Sequence, residues 1–402
     1  MIDESTIQQN PIGLSDYSLQ LNRWFLKPIG VWPVLTSRNE KIVSLTLNVI
    51  CYCSILVTVV PCLLRIFLED DDLLAKLKMT GAMSHCFAGG LNYTTLLLRR
   101  KEIHYCIKQI NSDWRTVKRP DAQQVMLKDA KFGRSVAAFC AIFMQGGVFC
   151  FSVATVFTME IVQVGNETRA VHTFPCPAYR KLIPVDNNFL CEIFLAVQFL
   201  CVFIVNSTIV GAFSLAIVFA SHVYGQLDIL MVWVTEYVNK SEEMHKNRWN
   251  QIGVFVENHV KILRFIAHIE QVMSPICLSE LCQCTLSMCT LCYYIIMEWE
   301  EHDVQNLTSY AMILVSVTFN VFIMCYIGEV LMEQCNRVAD VVYMTNWYCM
   351  PYRSILDLIL IISRSNVVTK ITAGKVIYMS IYTFGDVLKT AFTYLNILRQ
   401  TT

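Results

Sequence analysis

Cys282, Cys284, Cys289 and Cys292 crowd one short stretch, and the last two form a Cys-x-x-Cys pair. In soluble proteins that spacing holds zinc between thiolates or cycles through a disulfide. Here the four lie in the run 281–297, which contains neither a charged residue nor a histidine. With no polar groups to orient thiolates, they read as small, soft hydrophobes on a packed helix, and no metal is expected. His245, His259 and His268 are spaced so that they do not assemble on one helical turn. No HExxH, GxSxG, phosphate-loop or dinucleotide fingerprint occurs. The expectation is a protein that is not an enzyme and uses no cofactor.

The last apolar stretch carries a different pattern. At 100° per residue, Asp386, Thr390, Thr393, Ile397 and Gln400 fall within about 40° of one line, with Lys389 beside them. The opposite face carries Leu388, Ala391, Phe392, Leu395 and Leu398. Polar groups at membrane depth must face protein or water. An Asp386–Lys389 pair satisfied against neighbouring helices would account for the two charges alone. The length of the stripe points further, to a wetted path lined by copies of this helix, with Ile397 as an apolar ring that closes by dewetting. One helix cannot enclose such a path, so this reading requires an oligomer.

Composition explains why a membrane is the right setting. Of 402 residues 55% are apolar and 16% charged, with mean hydropathy +0.46, against about 25% charged in soluble domains. Lys+Arg and Asp+Glu balance at 32 each, which leaves no basic field for nucleic acid. A crossing helix needs about 20 apolar residues. Stretches 42–67, 79–98, 136–158, 193–221, 276–297 and 307–328 qualify, and 376–398 is a weaker seventh, interrupted by Asp386 and Lys389. The patch 355–362 is too short to cross and predicts a buried or interfacial helix. The fold class is therefore all-α, a seven-span membrane protein. The polar first forty residues contain no apolar core with a cleavage site, so the first span is expected to act as its own insertion signal.

Charge bias sets the orientation. With the N-terminus inside, 24 Lys/Arg fall in 1–41, 99–135, 221–275 and 333–375, against five on the other side. The C-terminus is then outside. Sequons at Asn166 and Asn306 both fall outside and are expected to be glycosylated. Of the 18 cysteines most lie in apolar runs; Cys176 and Cys191 flank one predicted outer loop, which leaves a disulfide between them open. A G-protein-coupled receptor has the opposite orientation, and this chain lacks both Asp-Arg-Tyr after span three and NPxxY in span seven. Residues 221–275 and 333–363 exceed what connections need and predict either plain cytosolic extensions of membrane helices or cytosolic helices whose apolar faces take partners. The organisation expected is 1–41 cytosolic, 42–332 spans one to six, 333–375 an anchor, and 376–402 the lining helix.

Several short motifs resemble those of the insect odorant receptor family. They are Trp24-Phe-Leu-Lys-Pro-Ile-Gly-Val-Trp-Pro33, His222-Val-Tyr-Gly-Gln-Leu-Asp-Ile-Leu230 and Gly328-Glu-Val-Leu331. C-terminal to these come Asn346-Trp-Tyr-Cys-Met-Pro351, Ile371-Thr-Ala-Gly-Lys375 and Leu388-Lys-Thr-Ala-Phe-Thr-Tyr-Leu-Asn-Ile-Leu-Arg399. Ile371 replaces a usual Leu, and Asn396 sits in a normally apolar segment. The resemblance implies an odorant-tuning subunit of a heteromeric, tetrameric cation channel whose partner is a shared odorant-receptor co-receptor. It also implies a pore lined by span seven, a cytosolic anchor domain, and a small volatile organic ligand held among spans two to six. A gustatory receptor channel shares this architecture and remains the alternative.

A pocket for such a ligand is mostly apolar with a few polar groups. By depth, span two offers Met79, Met83, His85 and Cys86, and span three offers Gly147, Cys150, Phe151 and Ala154. Span four offers Phe194, Gln198 and Cys201, and span six Tyr310, Ile313 and Leu314. Gly146 and Gly147 would open space or permit close packing, and His85 serves a helix–helix hydrogen bond or a ligand. The lining residues of the path are Asp386, Lys389, Thr390, Thr393, Ile397 and Gln400.

Overall fold

The computed structural model describes residues 11–34, 37–69, 73–157, 159–164, 167–172, 174–179, 188–239, 249–301, 304–367 and 369–401. Helix α1 (Pro11–Leu26) precedes the first span, which lies in α2 (Arg38–Leu68). Ser37 caps α2: its hydroxyl accepts from the Glu40 amide, and the Glu40 carboxylate accepts from the Ser37 amide. Span two lies in α3 (Leu73–Leu98), followed by the short α4 (Arg100–Thr116) and by α5 (Pro120–Phe157), whose second half is span three. A hairpin of β1 (Met159–Val164) and β2 (Glu167–His172) leads to α6 (Asn188–Asn239) and α7 (Trp249–Glu301). Then come α8 (Val304–Tyr343), α9 (Tyr352–Ser365) and α10 (Ile381–Thr401). Four of these helices meet a strict length and hydropathy test for crossing a membrane: Arg38–Leu68, Phe189–Asn239, Ile252–Met297 and Leu307–Tyr343.

Helix α6 is the hub. From Ile193 to Leu227 it carries no charged residue, and it packs against α1, α2, α3, α5, α7 and α8. An all-round apolar helix belongs in the middle of a bundle. Small residues let its neighbours approach closely: a Cβ on Gly89 would stand 2.2 Å from a Val205 methyl.

The Gly-x-Trp-Pro motif after α1 has a geometric cause. Gly30 adopts φ +72°, and a Cβ there would lie 2.4 Å from Asn48 Oδ1. The turn is then tied down by side chains. Tyr93 donates to the Ile29 carbonyl at 2.9 Å, Ser44 to that of Gly30 at 2.7 Å, and Arg100 to that of Trp32 at 2.6 Å.

The seventh span begins later than hydropathy predicts. Residues 372–378 form a two-stranded hairpin, β3 (Thr372–Ala373) with β4 (Ile377–Tyr378), around left-handed Gly374 and Lys375. The hairpin is seated on α7 beside Pro275: the Gly374 amide donates to the Ser274 carbonyl at 2.9 Å, and Thr372 donates to Glu270 at 2.6 Å. Val376–Tyr378 belong to this turn rather than to the helix, and α10 starts only at Ile381.

Candidate functional site

At one end of the bundle a non-helical segment dips between spans. Residues 174–179, Phe-Pro-Cys-Pro-Ala-Tyr, place Cys176 and Ala178 in buried positions. Irregular backbone among apolar helices needs a partner for every polar group. Pro175 and Pro177 have no amide hydrogen to satisfy. Between them, the Cys176 amide donates to Gln198 Oε1 at 3.2 Å, and the Gln198 Nε2 donates back to the Cys176 carbonyl. The Tyr179 amide donates to the Pro61 carbonyl at 3.2 Å. Phe174 stacks edge-on against Phe194 with centroids 5.5 Å apart. The Cys86 sulfur lies 3.9 Å from that of Cys176, and Cys201 contacts Cys86 as well.

Four expected pocket residues, Cys86, Phe194, Gln198 and Cys201, are thus brought together, but around the chain's own segment. Gln198 engages it through both ends of its amide, so in this conformation it holds backbone rather than facing a ligand. No disulfide joins Cys176 to Cys191; the sulfur beside Cys176 is that of Cys86.

A second group forms around Tyr310. Its ring lies 5.5 Å from that of Tyr294, which is 6.0 Å from Tyr293, and the three pack with Leu77 of span two and with Leu395 and Leu398 of α10. Tyr293 and Tyr294 were not singled out by the sequence, although an adjacent aromatic pair at the end of a span is a signal. Between the two groups, Met79 is buried, Met83 and Leu314 pack against the core, and His85 and Ile313 are half-buried. Gly146 has no atom within 4 Å of where a Cβ would stand, and the nearest to Gly147 is Ser316 Oγ at 3.7 Å. Cys150, Phe151 and Ala154 belong to α5, with side chains outside the described set, as is that of Asn306 in α8; Asn166 is outside the described residues.

Deeper in the bundle, Asn92 donates through Nδ2 to Glu280, and Cys284 to the other carboxylate oxygen at 3.9 Å, all fully buried. This ties span two to span five. Cys289 is buried and Cys292 half-buried in apolar packing, and among the described residues no His, Cys, Asp or Glu cluster is placed to hold a metal.

Helix α10 docks through Val387, Ala391 and Leu395, which are buried, with Leu388 and Leu398 half-buried. Lys389, Thr390, Thr393, Ile397 and Gln400 are exposed and Asp386 is half-buried. Lys389 Nζ approaches Asp386 Oδ1 at 3.6 Å, on the open face rather than against neighbouring helices. Phe392, also on the apolar side, is 58% exposed in the single chain. At 100° per residue it lies about 60° from Leu395 and falls on the flank.

At the opposite end, α4, α6 and α7 enclose a cavity of about 400 Å³ lined by Asp113, His222, Gln226, Trp233, Asn258 and Lys261 among others. Buried Asp113 accepts from His222 Nε2 at 3.0 Å and from Lys261 Nζ at 2.5 Å. Burial alone would push its carboxyl pKa up; His222 and Lys261 outweigh that and hold it below the ordinary carboxylate value. Hydropathy gave no signal for this cluster, because its members come from three separate helices.

The profile of the 7tm Odorant receptor family matches residues 72–392. Odorant receptor 19a of Drosophila melanogaster is 23% identical over 36% of this chain and 37% of its own length. Odorant receptor 2a of the same species is 24% identical over 40% and 41%. Odorant receptor 10 of Aedes albopictus is 21% identical over 62% and 64%. The chain thus spans less than half the length of those Drosophila relatives. The insect olfactory receptor OR5 from Machilis hrabei, solved in complex with eugenol, superposes with TM-score 0.77 at 12% identity, over 96% of this chain and 100% of that one. With a family profile covering most of its length and the fold of a solved insect olfactory receptor, the chain belongs to the 7tm odorant receptor family.

Proposed function

We propose that this receptor is an odorant-tuning subunit of a ligand-gated, non-selective cation channel. It works in the plasma membrane of a sensory neuron, with a shared co-receptor in a heterotetramer. The observation that carries the reading is the polar stripe of α10, which turns away from the chain's own fold while Val387, Ala391 and Leu395 seal the other side. A single copy builds one wall of a path, and partners supply the rest. The ligand is a small volatile compound held between Met79, Met83 and Cys86 of span two, the small residues of span three, Phe194 and Cys201 of span four, and Tyr310, Ile313 and Leu314 of span six. A solved relative in fold, the Machilis hrabei receptor, holds eugenol.

The route from ligand to pore is short. Tyr310 and Tyr294 pack in the same cluster as Leu395 and Leu398, so a ligand that shifts the rings shifts the back of α10. Binding opens the path only by the difference in affinity between closed and open states. The orientation, with N-terminus inside and the 174–179 end outside, follows the bias of Lys and Arg.

The test is electrical. Full-length chain expressed with a co-receptor is expected to give odorant-evoked cation currents, and neither the chain nor odorant alone should suffice. An N-terminal epitope stained on intact cells, or currents indifferent to the co-receptor, would refute the assignment.

A further inference from the structure

We infer that Cys86 and Cys176 form a disulfide that latches the inserted segment 174–179 to span two. It rests on the orientation above, which puts the segment on the oxidising side of the membrane. Three features of the structure converge on the pair.

The two sulfurs are 3.9 Å apart and both residues are buried. The change needed is a closing of about 2 Å to the S–S bond length, and one of the two thiols sits on irregular backbone that can follow. The segment is also tied to two other spans by hydrogen bonds. Gln198 satisfies Cys176 and Pro61 satisfies Tyr179, while the flanking prolines donate none. A covalent link 90 positions apart in sequence fixes such a segment in a way local hydrogen bonds do not. Finally, Cys191, the thiol that sequence proximity favours, is not the neighbour of Cys176 in the fold. Cys201 of span four touches Cys86 from the other side, so it is the competing partner.

Formation is thiol–disulfide exchange. A low-molecular-weight disulfide of the secretory pathway, such as glutathione disulfide, is attacked by one cysteine thiolate to give a mixed disulfide and release one thiol. The second cysteine then displaces the other thiol. One S–S bond forms in the protein and one is broken in the oxidant. The two protons and two electrons lost by Cys86 and Cys176 leave as two molecules of reduced thiol. The product ties segment 174–179 covalently to span two, beside its hydrogen bonds to Pro61 of span one and Gln198 of span four.

The test uses full-length chain collected from the cell surface, denatured in a maleimide–polyethylene glycol reagent with and without prior reduction. Wild type should gain two adducts on reduction. Cys86→Ser and Cys176→Ser should gain none, while Cys191→Ser and Cys201→Ser should still gain two. Non-reducing peptide mass spectrometry of wild type should recover the Cys86 and Cys176 peptides as one species, so a variant that fails to reach the surface does not decide the matter. No gain in wild type, a gain that persists in Cys176→Ser, or one lost in Cys191→Ser or Cys201→Ser overturns the pairing. An epitope placed in the loop between β1 and β2 separates the two layers. Staining on intact cells with no adduct gain removes the disulfide alone, whereas absent staining on surface-resident protein removes the orientation together with it.

Discussion

Asp113 and Asp129 are both acidic, both close to α6, and opposite in sense. At Asp113 the bonds from His222 and Lys261 overcome burial and lower the carboxyl pKa, so the ionised form stabilises the fold. That contribution is present above the ordinary carboxylate range and is lost as pH falls through the lowered value. Replacing Asp113 by Ala strands His222 and Lys261 and is expected to cost about 3 kcal/mol, the scale for breaking a buried pair. Thermal melting of the detergent-solubilised full chain at pH 7 measures it, and Lys261→Ala should cost less because that side chain is 39% exposed. Asp129 has only the weaker pull of Lys128. Burial and the nearby Asp228 push its carboxyl up to about 6, and its Oδ2 is buried without a hydrogen-bond partner. The folded state therefore binds the proton more tightly than the unfolded one, and stability falls as pH rises through the window from about 4 to 6. Asp129→Asn is expected to raise the melting temperature at pH 7.5 and to change it little at pH 4. A loss of stability at pH 7.5 would mean that the charge has a partner.

Among the elements, the inserted segment 174–179 and the turn at Gly30 each depend on one residue. Gln198 serves both backbone groups of Cys176, and leucine in its place has a similar size but no polar atoms. Gln198→Leu is expected to expel the segment, leaving a buried amide and carbonyl to find water instead. The readout is the alkylation rate of Cys176 by an impermeant maleimide in a Cys86→Ser background, expected to rise at least tenfold; an unchanged rate would show that Pro61 and packing suffice. Gly30→Ala faces a left-handed φ and a Cβ 2.4 Å from Asn48 Oδ1. The backbone alone costs about 1–3 kcal/mol, with the clash in addition. Surface expression well below wild type is the expected result, and wild-type levels would mean that α2 gives way cheaply.

At the scale of the whole molecule, two of the exposed surfaces among the described residues can be tested. One is the α10 stripe, where Ile397 is the apolar member and is 53% exposed. If a ring of such residues dewets the closed path, Ile397→Ser should raise current in the absence of odorant, and a resting current equal to wild type would move the gate elsewhere. The other is the apolar patch of Met344, Tyr348, Tyr352, Leu356 and Leu360, at the end of α8 and along α9. An exposed apolar surface of this kind marks an interface. Leu356→Asp with Leu360→Asp is expected to abolish co-purification with the co-receptor while the chain still folds, since Leu358 and Ile361 of the same helix carry the internal packing.

The sequence alone determined the helical class, the apolar spans, the polar stripe of α10 and the family motifs. Each of these lies in residues close together in the chain, where the helical period and hydropathy operate on neighbours. It missed the late start of α10, because hydropathy does not distinguish the apolar Val376–Tyr378 of a hairpin from the first turn of a helix. Tertiary structure alone placed Cys176 against Cys86, joined Asp113 to Lys261 across 148 positions, and set Tyr310 beside Tyr294 and the back of α10. Such pairings depend on which faces of distant helices meet. That choice is made by packing over the whole bundle, where small residues such as Gly89 decide how closely two helices approach.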